Sequence, residues 1–408
     1  MFRRAILIIP LDINEDDIGN LLENAGNYVE EQIFVEIHRD NQNIAHERVL
    51  SRLSLLTTTI YGESTRKLPE IDLIVIHEKG NYAEFEADVV LFGMKNVPQS
   101  LRTAFAKICE NLINIGEEIR TKNLTFTTEI THDTVVLGGT FDRLHAGHKI
   151  LLTEAVLRAQ RRVVVGVTDE TMIRKGKILP EIVLPVARRI KDVLKFLNFV
   201  KNSIKYEVVP ISDPFGPTAS DPDMDMIVVS EETYRGGQKV NELRAEKGLR
   251  QLQIHKIPLV DHSKEAVTGT ELNVNEAKVS SSRGRYDLLG KFIKSKRKIT
   301  ENCFKGIYLV GIVGNNELCE ALRNRNQVVI ESDSIKMLQK SSGRLFVSIG
   351  NQMDHEIIEK CHEIWCCLSS ESFLTEKMSE IADILFTTSV SLDSQLDKTW
   401  KSLLERSC

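Results

Sequence analysis

Residues 135–148 read VVLGGTFDRLHAGH, and this stretch decides the fold of the central part of the chain. An apolar run leads into Gly138 and Gly139, and a helical pattern of apolar residues follows directly. That pattern is formed by Ile150, Leu151, Ala155 and Ala159. Strand, glycine turn and helix in this order are typical of the first unit of a doubly wound parallel sheet. Two adjacent glycines let the backbone pass close to a ligand at the carboxyl edge of that sheet.

Two histidines, His145 and His148, lie at the predicted start of this helix. Free N–H groups and the helix dipole attract phosphate at such a position, and two imidazoles three residues apart can donate to the same oxygens. A histidine pair alone is more often structural or incidental. Strand, glycines, Thr140 and both histidines in this order nevertheless predict a phosphate-binding site.

Four further apolar runs follow, each separated from the next by a helical segment. With Thr134–Leu137 they make five predicted strands, the later four being Arg162–Val167, Tyr206–Ile211, Met226–Val229 and Leu252–Leu259. Their continuous apolar character is typical of strands that are buried on both faces. The alternation of strands and helices predicts an α/β fold with a doubly wound, Rossmann-like parallel sheet.

Smaller α/β domains are predicted on both sides of this sheet. The strand-like runs on the N-terminal side are Ala5–Ile9, Ile33–Ile37 and Leu73–Ile76, with a helical pattern over residues 44–56. On the C-terminal side a third alternation begins with the strand Ile307–Val310. The predicted domains are residues 1–128, 129–290 and 306–408.

Residues 291–305 are predicted to be a basic linker between the second and third domains. Its charges come from Lys291, Lys294, Lys296, Arg297 and Lys298. Such a run is typical of a solvated linker or helix end, and a phosphate- or lipid-binding patch is the alternative.

The composition excludes several classes of protein. The 408 residues carry 53 Lys and Arg against 58 Asp and Glu, so the basic excess of a nucleic-acid coating protein is absent and no nucleic acid is expected. The seven cysteines include no CxxC pair or zinc-ligand spacing, which predicts reduced thiols and no protein-bound metal. No apolar run reaches the roughly 18 residues of a transmembrane segment. The initial MFRRAILIIP is interpreted as a buried strand rather than a signal peptide.

Three elements together resemble the phosphopantetheine adenylyltransferases, a branch of the HxGH nucleotidylyltransferases. The first is the turn at residues 138–148, and the second is SEETYRGG at residues 230–237, which is similar to the eukaryotic and archaeal branch. The third is KVSSSRGR at residues 278–285. Arg283 and Gly284 depart from the small and apolar residues that are usual there, while the serines and the final arginine remain.

The resemblance implies transfer of AMP from ATP to 4′-phosphopantetheine, which yields dephospho-CoA and pyrophosphate. A phosphate oxygen attacks the α-phosphate of ATP in line, so the protein supplies position and charge rather than a nucleophile. His148 would stabilise the crowded α-phosphate beside His145, and Thr140 would orient the attacking phosphate. The lysine that holds this phosphate in the family corresponds to Lys175 or Lys177, and the sequence does not choose between them.

The resemblance also implies a set of ligand-binding residues in the same three elements. They are Gly138, Gly139, Phe141, Ser230, Glu232, Thr233, Gly236, Gly237, Ser280, Ser281, Ser282 and Arg285. Mg²⁺ is expected to arrive mainly on ATP, because no dense carboxylate cluster predicts a metal site made by the protein. ATP and 4′-phosphopantetheine are the expected partners, and protein partners of the outer domains stay open. The expected compartment is the cytoplasm, and the animal family also associates with mitochondria.

Residues 306–408 resemble dephospho-CoA kinase, which follows the adenylyltransferase in the bifunctional CoA synthases of animals. Residues 307–314 resemble the first strand and turn of the kinase, and residues 332–333, 362–365 and 396–400 resemble later segments of it. The phosphate-binding GxxxxGK[ST] loop is missing, because residues 311–318 read GIVGNNEL. The sequence therefore predicts that the kinase reaction is lost and that this domain is structural or regulatory.

Two alternative functions stay open. Another HxGH nucleotidylyltransferase would use a cytidine nucleotide or nicotinamide mononucleotide, although the element at residues 230–237 favours the phosphopantetheine enzymes. A non-catalytic scaffold would keep the nucleotide site for binding alone.

Overall fold

Three five-stranded parallel sheets flanked by helices make up the part of the chain that the computed structural model describes. That part comprises residues 1–39, 45–78, 82–174, 177–257, 285, 287–291, 293, 307–314, 316–325, 327–331, 343–350, 361–369 and 374–406. The predicted α/β class with Rossmann-like parallel sheets is thereby confirmed. Within these ranges no helix is both long and apolar enough to cross a membrane.

Contacts divide the chain into two compact units. The first contains residues 1–169 and 189–279, and the second contains residues 170–188 and 280–408. The segment 170–188 therefore groups with the C-terminal residues, whereas the sequence placed it inside the middle domain. The predicted domain boundaries themselves stay predictions.

The first sheet belongs to the first unit. Its strands are β1 (Phe2–Pro10), β2 (Val29–His38), β3 (Asp72–Ile76), β4 (Val89–Phe92) and β5 (Leu112–Asn114), and its helices are α1 (Ile18–Gly26), α2 (His46–Lys67) and α3 (Gln99–Phe105). The strands lie in the order β3-β2-β1-β4-β5. The three predicted strands are present because each apolar run is buried, while α2 continues beyond the predicted end at Leu56.

The second sheet also belongs mainly to the first unit. Its strands are β6 (His132–Gly139), β7 (Ala159–Thr168), β8 (Lys205–Ile211), β9 (Met226–Ser230) and β10 (Gln253–Ile257), and the helices are α4 (Ala146–Arg158), α5 (Glu170–Arg174), α6 (Val186–Val200) and α7 (Tyr234–Glu246). All five predicted strands are present, in the order β10-β9-β6-β7-β8. The chain passes from β6 to β8 on one side and then returns to β9 on the other. Ligands bind at the carboxyl edge where the strand order reverses in this way, which here is the edge formed by β6 and β9.

The third sheet belongs to the second unit. Its strands are β11 (Ile307–Gly314), β12 (Val329–Glu331), β13 (Gly343–Gly350), β14 (Glu363–Leu368) and β15 (Ile384–Thr387), and its helices are α8 (Glu317–Asn324), α9 (Glu376–Ile381) and α10 (Leu392–Arg406). The strand order is β12-β13-β11-β14-β15, unlike that of the other two sheets. Leu179 and Ile182 join this core, and the Thr387 hydroxyl donates to Glu181 at 2.6 Å. These contacts explain why residues 170–188 group with the C-terminal part.

The first and second sheets share an interface inside the first unit, where α2 packs against α4. Lys149 Nζ on α4 donates to the carbonyl of Leu73 at 2.8 Å. Glu154 and Arg158 form a buried ion pair on the same helix, and the Ser54 hydroxyl of α2 donates to Glu154. The N-terminal sheet thus helps to fix the helix that carries His148.

Candidate active site

The turn that joins β6 to α4 has an unusual backbone. Phe141 and Arg143 both have φ of +50°, in the left-handed region that non-glycine residues rarely occupy. Phe141 is only 1% exposed, and a Cβ on Gly139 would lie 3.0 Å from its ring. Gly139 is therefore required by the folded-back phenylalanine, which fixes the course of the turn.

The two predicted histidines come together at the start of α4. Their rings stack with centroids 3.9 Å apart and planes 26° apart, and the His148 ring lies 5.3 Å from that of Phe141. His145 is the N-cap residue, but its side chain does not cap the helix. A Cβ on Gly147 would lie 3.2 Å from the His145 ring, so the glycine between the histidines makes room for the stack. The arrangement presents two imidazoles and a helix N-terminus at one place, which suits an anion.

Thr140 connects this turn to the neighbouring strand. Its hydroxyl accepts a hydrogen bond from Thr168 at 3.2 Å. The fully buried Arg189 of α6 donates from Nη1 to the carbonyls of Thr140 and Thr168, each at 2.8 Å. Arg189 therefore ties the carboxyl ends of β6 and β7 together and fixes the position of Thr140.

Sequence reasoning missed Arg189, although a signal was present. The residue precedes Val193 by four positions and Val200 by eleven, so it lies on the apolar face of α6. A charged residue on the buried face of a helix needs a polar partner, and this requirement would have identified it.

A second missed feature is the ion pair within the turn itself. Asp142 is completely buried, and Arg143 Nη1 donates to its two carboxylate oxygens at 2.9 and 3.0 Å. The guanidinium neutralises a carboxylate that would otherwise repel phosphate at this edge.

The second predicted element lies at the carboxyl end of β9, which pairs with β6. Ser230 and Thr233 form a capping box: the Ser230 amide donates to the Thr233 hydroxyl at 3.0 Å, and the two hydroxyls are 3.1 Å apart. Glu232 between them is exposed. The predicted residues at positions 230–233 therefore lie at the same sheet edge as the histidine turn.

The two glycines in the first turn of α7, Gly236 and Gly237, differ in their surroundings. A Cβ on Gly237 would contact Val229 at 3.3 Å, so this glycine allows the helix to pack closely on β9. Nothing lies within 4 Å of a Cβ placed on Gly236. Close packing against β9 explains the glycine at position 237. At position 236 the absence of a side chain leaves the backbone accessible to a ligand. Gly138 also has room, because the nearest atom to its Cβ position is 3.6 Å away.

The remaining predicted residues fall elsewhere. Lys175 and Ser280, Ser281 and Ser282 lie outside the described residues. Lys177 and Arg285 belong to the second unit. There the Lys177 amide donates to the carbonyl of Ile173 at 3.1 Å, and Arg285 is 1% exposed with its Nε donating to the carbonyl of Ile178 at 2.9 Å. Their phosphate contacts stay predictions.

The donor set of the turn fits a phosphate better than a metal ion. It offers imidazoles, a hydroxyl and helix N–H groups, while its one buried carboxylate, Asp142, is paired with Arg143. No group of three or more potential metal ligands occurs among the residues that the structure describes. Mg²⁺ bound through ATP stays an expectation.

Comparison with known proteins identifies relatives of this part of the chain. A family model described as cytidylyltransferase-like matches residues 136–286. The phosphopantetheine adenylyltransferase of Pyrococcus abyssi is 45% identical over 126 residues, which are 31% of this chain and 78% of the relative. The phosphopantetheine adenylyltransferase of Saccharomyces cerevisiae is 33% identical over 163 residues, 40% of this chain and 52% of the relative.

An uncharacterised protein of Schizosaccharomyces pombe is 39% identical over 171 residues, 41% of this chain and 52% of the relative. The chain thus spans about half the length of the two fungal relatives and most of the archaeal one.

Proposed function

The chain belongs to the phosphopantetheine adenylyltransferase family, and from this premise we propose that it transfers AMP from ATP to 4′-phosphopantetheine. The products are dephospho-CoA and pyrophosphate. The observation that carries the proposal is the stacked pair His145 and His148 at the start of α4, on the reversal edge of the second sheet. Membership of the family supports 4′-phosphopantetheine as the acceptor, and the histidine pair at a helix N-terminus supports phosphate binding at this edge.

The reaction needs no nucleophile from the protein. An oxygen of the acceptor phosphate forms a bond to the α-phosphorus, while the bond to the bridging oxygen breaks and pyrophosphate leaves with the electron pair. Catalysis then consists of positioning and of stabilising the charge that gathers on the α-phosphate oxygens.

The residues of the turn have separate roles in positioning the substrates and in stabilising charge. His148 and the N–H groups of α4 stabilise the α-phosphate oxygens, with His145 stacked beside it. Thr140 orients the acceptor phosphate, and Arg189 acts through Thr140 as a positioning residue because it holds the Thr140 carbonyl. Lys175 or Lys177 holds the acceptor phosphate by family position. Mg²⁺, carried by ATP, would neutralise the oxygens of the leaving pyrophosphate.

We also propose that the third sheet does not catalyse phosphorylation of dephospho-CoA. Its first turn, between β11 and α8, contains no lysine and no hydroxyl residue, because residues 311–318 read GIVGNNEL. Glu317 and Glu320 lie in the first turn of α8, where they repel phosphate. Gly314 has a packing explanation instead, since a Cβ there would lie 2.1 Å from the Cys367 carbonyl oxygen.

Pyrophosphate release is the measurement that tests the transferase proposal. Purified protein is given ATP or CTP with 4′-phosphopantetheine or nicotinamide mononucleotide as acceptor. The proposal expects release only from ATP with 4′-phosphopantetheine, and a loss of about 10²- to 10³-fold in His148→Ala. His132→Ala is the matched control, because His132 lies at the opposite end of β6.

Each alternative has its own outcome in this assay. Turnover with CTP or with nicotinamide mononucleotide identifies a different HxGH transferase. Binding of ATP without pyrophosphate release from any pair identifies a non-catalytic scaffold. Either result overturns the proposal.

A further inference from the structure

A cavity of about 270 Å³ opens at the carboxyl edge of the first sheet, where β2 and β3 end side by side. Arg39 and His77, which directly follow these strands, line it together with Glu36 and Glu78. The sheet has the same strand order as the second sheet. Open parallel α/β sheets bind ligands outside the carboxyl ends of their strands. In this sheet the strand order reverses at β1 and β4, so the cavity lies to one side of that point. None of its residues belongs to the proposed transferase site.

A second segment of the chain, residues 200–203, packs against the residues that line this cavity. The His77 amide donates to the carbonyl of Val200 at 2.9 Å, and Glu78 accepts the amides of Asn202 at 2.9 Å and Ser203 at 3.0 Å. Lys201, between these contacts, is thereby held close to His77 and Glu78, although it does not itself line the cavity.

Electrostatic effects agree with this placement. Burial, followed by the positive charges of Arg39, His46 and Lys201, lowers the pKa of His77 to about 3. Burial also lowers the pKa of Lys201, partly offset by Glu78, with a further contribution from Arg39. His77 is therefore neutral at pH 7, and Arg39 is the positively charged residue among those that line the cavity.

Arg39 is the group whose charge is least compensated. It is half-buried, burial lowers its pKa, and no carboxylate of the described residues lies within 4.0 Å of its guanidinium. The cavity carboxylates are engaged elsewhere. Glu36 accepts the Tyr82 hydroxyl, and Glu78 accepts the two backbone amides. A partly buried cation without a partner is costly, and an anionic ligand removes that cost.

The histidines contribute hydrogen-bonding capacity rather than charge. The His77 Nε2 lies 3.0 Å from the Thr57 hydroxyl, while its Nδ1 makes no hydrogen bond within the described part of the chain. His46, the first residue of α2, donates from Nε2 to the carbonyl of Leu157 at 2.8 Å, which fixes the ring beside the helix N-terminus.

We propose that this cavity binds a small phosphate monoester that also carries hydroxyl groups. The Arg39 guanidinium holds the phosphate, since a guanidinium matches phosphate oxygens with two parallel N–H groups. The nearby positive charge of Lys201 adds to the attraction. Glu36 and Glu78 keep lone pairs that accept hydroxyl protons of the same ligand. The volume lies just below the range of about 300–1,000 Å³ that encloses drug-sized ligands, so the ligand is smaller than a nucleotide.

The test uses glycerol 3-phosphate, ribose 5-phosphate and inorganic phosphate at constant ionic strength, with binding measured by isothermal titration calorimetry. All variants carry His148→Ala, so that the transferase site contributes less to the signal. The proposal expects saturable binding of a monoester that is tighter than that of inorganic phosphate, and at least a tenfold loss in Arg39→Gln. Arg39→Lys keeps the charge and is expected to retain part of the affinity.

Arg161→Gln is the matched control, because the Arg161 side chain is 78% exposed on the second sheet. Equal affinity in Arg39→Gln and the control overturns the proposal, as does the absence of monoester binding. If Arg39→Gln does not fold, Lys201→Gln takes its place. Inorganic phosphate that binds as tightly as the monoesters contradicts the hydroxyl-bearing ligand. None of these outcomes depends on transferase activity, which is measured separately by pyrophosphate release.

Discussion

The first turns of the second and third sheets share a local architecture and differ in their chemistry. β6 ends at Gly139 before α4, and β11 ends at Gly314 before α8. The turn between β6 and α4 presents two stacked histidines and a threonine. The first helical turn of α8, in contrast, carries two glutamates. A strand, a glycine and a helix N-terminus provide a place for phosphate, and the side chains at that place decide whether phosphate is bound. Five experiments, which use six substitutions and one control variant, test this contrast and extend it to the first sheet.

His148→Ala is expected to have the largest effect. Removal of one preorganised donor to a charged transition state lowers kcat by about 10²- to 10³-fold, or about 3–4 kcal/mol. Pyrophosphate release under saturating substrates measures it. Full activity of the variant would show that His148 does not stabilise the transition state.

Arg189→Met tests whether the position of Thr140 depends on the buried guanidinium. The change leaves the carbonyls of Thr140 and Thr168 without their donor, which costs about 2 kcal/mol of unfolding free energy. We also expect kcat to fall more than KM rises. Thr140 loses its fixed position in this variant, while His145 and His148 are still present to bind phosphate. Urea unfolding and steady-state kinetics measure the two effects. Lys191→Met on the exposed side of α6 is the control, and equal kinetics in the two variants would contradict the positioning role.

Gly139→Ala and Gly236→Ala form a matched pair. A Cβ on Gly139 would press on the Phe141 ring at 3.0 Å, so this variant is expected to lose about 1.5 kcal/mol of stability. Gly236 lies in α7 with open space around it, so alanine there is expected to be neutral or slightly stabilising. A raised KM for ATP in Gly236→Ala would indicate close approach of the nucleotide. Equal stability loss in both variants would contradict the packing account.

The first sheet provides a further comparison. His77 is largely shielded from solvent, whereas His145 and His148 lie at a turn at the edge of the second sheet. Its folded-state pKa of about 3 lies below the unfolded value near 6.5, so the unfolded chain binds the extra proton between these values. The stability that comes from keeping His77 neutral is full above about pH 6.5 and is lost as the pH falls toward 3. Between pH 6.5 and 5.5 the wild type should lose about 1 kcal/mol more unfolding free energy than His77→Asn. Parallel pH profiles of the two proteins would contradict this.

Glu317→Gln is expected to have the smallest effect. The carboxylate stabilises the N-terminus of α8 by about 0.5 kcal/mol, so the variant should be less stable by that amount. Thermal unfolding at low salt measures the loss. The variant should still form no CoA from dephospho-CoA, because the lysine and hydroxyl of a phosphate loop remain missing. Appearance of kinase activity would mean that the glutamate alone suppresses it.

The sequence predicted the features that depend on local pattern. The second-sheet strands were found because their apolar runs are continuous and buried on both faces, as Val163–Val165 illustrate. The histidine turn was found because strand, glycines and helix start follow one another within residues 135–148. The structure explains why particular residue types occur in this turn. For example, Gly147 has no side chain that would contact the His145 ring.

Features that join distant segments escaped prediction. Arg189 donates to the Thr140 carbonyl from 49 positions away. Arg39 follows β2 and Lys201 follows α6, yet Arg39 lies near enough to lower the pKa of Lys201. No local periodicity encodes such contacts, because they arise only when the strand order is set. The grouping of residues 170–188 with the C-terminal part has the same origin, since Glu181 finds its partner at Thr387.

The central contrast is tested most directly by supplying purified protein with ATP and 4′-phosphopantetheine and quantifying dephospho-CoA, CoA and pyrophosphate together. We predict equal amounts of dephospho-CoA and pyrophosphate, no CoA, and loss of both products in His148→Ala. Accumulation of CoA would contradict the inactive third sheet, and failure to form dephospho-CoA would contradict the active second one.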